Sequence, residues 1–157
     1  MSLRRIERRP LSHDAEIVDA IAADLRERLL AWCLEGGGCY DSKSADDVKA
    51  AIRYEDSAWR IVETLDSFGW MTDDALVVIF SDVGSMRQRA LEDAEFKWVK
   101  RNSIVAKHAP GDDIKYHHYG LNRRGTVTEV KPTGKYVVVP LDEPSVKTCV
   151  NFESVDE

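Results

Sequence analysis

Apolar residues recur at three- and four-residue spacing through the first two thirds of the chain, then give way to short β-branched runs. After Pro10, Ser12 reads as a helix N-cap, with Asp14 and Glu16 in the first turn, where carboxylates complement the helix dipole. Ile17, Ile21, Leu25, Leu29 and Trp32 or Cys33 line one face, widened by Val18 and Leu30, and Gly36-Gly37-Gly38 ends the helix. Ser44 and Asp47 form a variant capping box for a second helix. Its apolar positions Val48, Ala51, Ile52, Tyr54, Ala58, Trp59, Val62 and Leu65 run on to a stop at Gly69. Thr72 caps a short third helix holding Ala75 to Phe80; the run from Leu76 to Phe80 also fits a buried strand, and the preceding Thr-Asp-Asp favours the helix. Ser85 and Gln88 form a capping box for a fourth helix reaching Arg101, with Met86, Ala90, Leu91, Ala94, Trp98 and Val99 inward. Trp59 and Trp70 read as core anchors, and four such helices can share a core as an antiparallel bundle.

Past a connection over 102–108, Pro110-Gly111 opens a different pattern. Four short runs rich in β-branched and aromatic residues alternate with Gly, Pro and Asp, as in a small antiparallel meander. Gly125 and Gly134 are expected at turns and Pro140 at a strand end or bulge, while Val146, Thr148, Val150 and Phe152 alternate along the last strand. The expected fold class is α+β: an amino-terminal antiparallel helical bundle followed by a small carboxy-terminal SH3-like antiparallel β-barrel. The expected divisions are a flexible basic arm at 1–11, a helical domain at 12–103 and the β-module at 109–157.

The order Gly111-Asp112, Gly125-Thr126-Val127, Pro132-Thr133-Gly134-Lys135-Tyr136 and Glu153-Ser154-Val155 resembles an SH3-like small barrel of the KOW or Tudor kind. In such barrels a Gly-Asp pair opens the first strand and a short helical turn precedes the last. The resemblance covers the carboxy-terminal third and implies a binding module that attaches to ribosomes, polymerases, nucleic acids or modified peptides rather than a catalyst. It makes the stretch from Tyr116 to Arg124 the expected contact loop. Tyr116, His117 and Tyr119 would stack on a base or a partner side chain, and Arg123 and Arg124 would grip phosphate or carboxylate. The alternative is that Tyr116 and His118 pack inward while the arginines are merely solvated.

Charge narrows the function classes. The 157 residues hold 22 Lys and Arg against 28 Asp and Glu, a net charge of −6. Cut at residues 40 and 107, each third is mildly acidic, which argues against an ordinary duplex-binding footprint. The concentrated positive charge is Arg4, Arg5, Arg8 and Arg9, either a solubilising tail or a partner-binding arm. Cys33, Cys39 and Cys149 follow no signal peptide and fit a reducing, cytoplasmic setting, with Cys33 and Cys149 expected buried.

Catalytic and metal signatures are weak. His108, Asp112, His117 and His118 are the nearest approach to a ligand set, but adjacent strand histidines point to opposite faces. No metal, cofactor or catalytic residue is assigned. The expectation is a cytoplasmic, non-enzymatic adaptor or inhibitor docking on a protein partner, plausibly a nucleic-acid-handling machine and of phage or mobile-element type. Its acidic helical face, with Asp46 and Asp47, would meet a basic surface. Direct RNA or DNA binding by the barrel loop and the arginine arm is the first alternative, and a small enzyme using His117 and His118 is the second.

Overall fold

The computed structural model describes residues 7–37 and 40–156. Helices come first and an antiparallel sheet follows, so the α+β reading holds. The chain divides into two compact units within one long helix: Pro10–Ala94 forms the helical unit, and Glu95 onward, with the described residues up to Arg9, forms the sheet unit.

In the helical unit α1 spans Ala15–Trp32. Its N-cap is Asp14, two residues after the expected Ser12, and the Asp14 carboxylate accepts from Leu11 N–H at 2.8 Å. The expected stripe is buried along its centre, where Ile21, Leu25 and Leu29 are fully enclosed and Trp32 is nearly so, but Leu30 is exposed and Cys33 only half-buried. Truncating a side chain such as Leu25 to Ala would cost about 2–5 kcal/mol.

The expected second helix is two: α2, Ser42–Ile52, and α3, Ala58–Ser67. Asp41 caps α2, its carboxylate accepting from Ser44 N–H at 2.8 Å, so the helix starts before the Ser44 box. The break at 53–57 is organised by Arg87, whose side chain is 7% exposed as a residue and lies under the chain there. Its Nη2 donates to the carbonyls of Ile52 and Glu55, its Nη1 to those of Arg53 and Ser12, and its Nε to Asp56 Oδ1 at 2.6 Å. All five guanidinium N–H groups are thereby used, and the carbonyls freed at the end of α2 gain partners. The break turns Tyr54 and Trp59 outward, 76% and 63% exposed, so Trp59 is not a core anchor. Trp70 is one in part: it stacks on Trp32 with centroids 6.3 Å apart and donates to Asp47 Oδ2 at 3.1 Å.

The ambiguous apolar run is helical, as α4, Asp74–Phe80, capped by the Asp73 carboxylate accepting from Leu76 N–H at 3.0 Å. Next comes α5, Val83–Asn102, which starts ahead of Ser85 and leaves the expected capping box inside the helix.

The sheet unit contains β1 (Asp113–His118), β2 (Leu121–Lys131), β3 (Lys135–Pro140) and β4 (Thr148–Asn151), antiparallel in sequential order. The sheet curls into a half-barrel around Ile114, Tyr116, Val127, Tyr136, Val138 and Val150. After the helical turn Phe152–Ser154, Val155 bridges back to Tyr116 and Asp156 N–H donates to Lys115 O at 3.0 Å.

Three strand-level expectations change. Gly125 sits inside β2 rather than at a turn; a Cβ there would lie 2.6 Å from the Val139 carbonyl oxygen, so the residue permits close strand approach. Gly134 does occupy a turn, at φ +76°. The last strand is shorter than expected, since Val146 precedes β4 in an exposed loop and Phe152 follows it in the helical turn, and Cys149 within β4 faces solvent. Cys39 lies outside the described residues.

Candidate interaction site

The stretch from Tyr116 to Arg124 is a hairpin rather than a loop. β1 and β2 pair directly up to His118 opposite Leu121, joined by Tyr119-Gly120. Both turn residues have positive φ, 47° and 79°, the combination that matches the twist of a two-residue hairpin. A tyrosine at positive φ is unusual, and this one is 92% exposed with its ring 4.2 Å from that of His118. Leu121, 60% exposed, completes an apolar tip.

Alternation sorts the remaining residues onto two faces. Tyr116 and Arg123, opposite each other, lie on the inner face. Tyr116 is fully buried and thus a core residue rather than a stacking platform. Burial pushes its phenol pKa up. Arg123 is held by Asp142 at 3.3 Å and Glu143 at 3.5 Å from the β3–β4 loop, so its charge is compensated. His117 faces outward and pairs with Asn122, Nδ1 to Oδ1 at 2.9 Å.

On the outer face Lys115 stands directly opposite Arg124, and both are exposed. Like charges in direct cross-strand register destabilise a sheet. From Ile114 to Thr128 the chain carries no carboxylate. The hairpin is therefore a cationic surface with an aromatic tip. Composition could not reveal the Lys115–Arg124 opposition, because it exists only through the register.

Of the amino-terminal arginines, Arg4 and Arg5 lie outside the described residues and Arg8 is exposed. Arg9, expected in a mobile arm, is instead fixed. Its Nε and Nη2 donate to the two Glu153 carboxylate oxygens at 2.7 and 2.9 Å. Its Nη1 reaches Glu95 at 3.1 Å and Thr133 O at 2.9 Å, Nη2 also reaches Gly134 O at 2.9 Å, and the guanidinium lies 4.7 Å from the Trp98 ring centre. Burial disfavours the Arg9 charge, but the two carboxylates outweigh that and raise its pKa. Lys135 donates to the second oxygen of buried Glu95 at 2.6 Å. With five N–H groups committed, Arg9 has none left for a phosphate. Beside this network a cleft of 710 Å³ is lined by Trp98, Val105, His108, Tyr136, Phe152 and Val155.

The helical unit has the opposite electrostatics. Pro10–Ala94 carries 8 Lys and Arg against 18 Asp and Glu, a formal charge of −10, leaving 14 against 10, or +4, for the rest of the chain. Cutting the sequence at 40 and 107 hides this, because residues 95–107 add four cations to an otherwise acidic block. Asp46 is exposed on α2, whereas Asp47 is half-buried and engaged by Trp70.

No helix among the described residues is long and apolar enough to cross a membrane. Comparison with protein-family models, with curated proteins and with solved structures gives no match to this chain.

Proposed function

We propose that this is a non-enzymatic, cytoplasmic binding and regulatory protein, an adaptor or inhibitor whose helical unit docks on a basic surface of a macromolecular partner. The observation that carries this reading is the 18-to-8 excess of acidic over basic residues in Pro10–Ala94. Such a surface attracts and orients a cationic partner and competes for a phosphate-binding channel. A nucleic-acid-handling machine of phage or mobile-element context is the partner class this chemistry suits. The half-barrel, closed back on β1 by Val155 after a helical turn, supports reading the sheet unit as an SH3-like small barrel.

The test is comparative capture from host lysate by the full chain and by a variant carrying Asp46→Lys and Glu63→Lys, two exposed positions. A basic protein retained by the wild type, released by salt and depleted at least tenfold by the variant supports the proposal. An identical retained set for both proteins overturns it.

One observation favours a second reading, direct nucleic-acid binding by the sheet unit: the opposed, exposed Lys115 and Arg124 beside Tyr119. Phosphates would bridge the two cations and a base would stack on the tyrosine. An anisotropy titration of single-stranded RNA and duplex DNA, at low and near-physiological salt, decides it. Affinity that persists at the higher salt and drops with Arg124→Ala supports it; no binding at either salt removes it.

A further inference from the structure

Helix α4 reads Asp-Ala-Leu-Val-Val-Ile-Phe and is apolar on every side after its first residue. A helix of that composition belongs in an interior. Its inner side obeys: Leu76 and Phe80 are fully buried. Its outer side does not, since Ala75 is exposed, Ile79 is half-buried and Val78 is 70% exposed. The outer residues form one wall of a groove of 450 Å³, facing Ala31 and Trp32 of α1.

The polar groups around this groove are already spent or are acidic. The Trp32 indole N–H is committed to the Asp73 carboxylate at 3.1 Å. Arg28, at the rim, is held in a fork by Asp82, with Nη1 and Nη2 donating at 2.9 and 3.1 Å, so its charge is neutralised. Glu35 lines the rim, and exposed Asp74 adjoins Ala75 on α4. The floor thus offers apolar contact and the surroundings offer negative charge.

We infer that this groove receives an amphipathic helix of the partner, presenting an apolar stripe flanked by Lys or Arg. Helix-in-groove docking places anchors at i, i+3 and i+4 against such a floor while flanking charges set orientation. A second copy of this chain is the wrong occupant, because a self-complementary contact would set the acidic rim, with Glu35 and Asp74, against the same acidic rim across two units of charge −10. The inference rests on the acidic-docking function above and locates it.

The test uses the full chain and a fluorescein-labelled 18-residue helical peptide of Leu and Lys, with Leu confined to one face. Its control replaces every Leu with Ser at the same charge. Saturable binding of the Leu/Lys peptide at near-physiological salt, at least tenfold tighter than the Ser/Lys control, is expected. Val78→Asp should weaken it at least tenfold despite adding negative charge, with an unchanged near-ultraviolet circular dichroism spectrum. Undiminished binding to Val78→Asp overturns the inference. Equal binding of the two peptides overturns it while leaving the charge-driven docking function standing, and binding of neither removes both. Self-association of the wild type that Val78→Asp abolishes would assign the groove to a second copy instead.

Discussion

Arg9 Nη1 and Glu95 Oε1 are 3.1 Å apart across 86 residues of sequence, with side-chain exposures of only 10% and 3%. Glu95 also accepts from Lys135, so one buried carboxylate holds the amino-terminal segment, α5 and β3 together. Replacing it leaves two cations without their shared partner. Glu95→Ala should therefore cost about 3 kcal/mol, the lower end for breaking a buried pair. Arg9→Lys should recover little of the loss seen in Arg9→Ala, because an ammonium cannot span both carboxylates and two carbonyls. Urea unfolding followed by tryptophan fluorescence measures both.

Acid should loosen the same joint. Burial alone would raise the Glu153 pKa, but the Arg9 hydrogen bonds outweigh it and the net shift is downward from 4.5. A depressed carboxylate pKa means that its stabilisation is complete above the ordinary value and is lost as pH falls through the native one. Stability of the wild type should decline below pH 4.5 more steeply than that of Glu153→Gln. The difference is modest, since Glu153 is 48% exposed by side chain. Equal acid slopes for the two proteins would dissociate Glu153 from the effect.

Arg87 should be among the least replaceable residues of the helical unit. Arg87→Leu leaves four carbonyls without donors and should destabilise by roughly 3–5 kcal/mol. Arg87→Lys should also melt early. Hydrogen exchange would show residues 53–57 losing protection first in either variant.

Gly125→Ala should destabilise the sheet by roughly 1–3 kcal/mol, as overpacking does. The Val138 methyl at 2.5 Å from the new Cβ can rotate away, but the Val139 carbonyl at 2.6 Å belongs to the neighbouring strand and cannot. A lower thermal midpoint with an intact helical signal is the expected result.

Lys115→Glu should do the reverse. It turns a like-charge pair across β1 and β2 into an attractive one, raising stability by about 0.5 kcal/mol. If the hairpin binds nucleic acid, the same change should weaken that binding at least tenfold, and the opposite signs of the two effects are read by urea midpoint and anisotropy.

The sequence made α1 and α4 legible because each has local markers: a continuous stripe in one, an Asp-capped apolar run in the other. It did not show the break between α2 and α3, because Tyr54, Ala58 and Trp59 keep helical spacing across it. The donors that stabilise the break come from Arg87, more than 30 residues downstream. The candidate site was half legible. Tyr119, Arg123 and Arg124 stand out as residue types, but that Arg123 is the one compensated depends on Asp142 and Glu143, and Lys115 matters only through its register with Arg124. For Tyr116 the sequence left stacking at a contact surface and inward packing both open, and the strand alternation of the structure assigns it to the core.

The contact between Arg9 and Glu153 spans 144 residues. Synthesis runs from the amino terminus, so all of Pro10–Ala94 is made before any strand of the sheet. The helical unit can thus be complete while Arg9 still waits for Glu95, then Lys135's strand, then Glu153. Assembly of the sheet unit is the late event of synthesis, and Arg9, made ahead of the whole helical unit, completes its contacts only when Glu153 arrives.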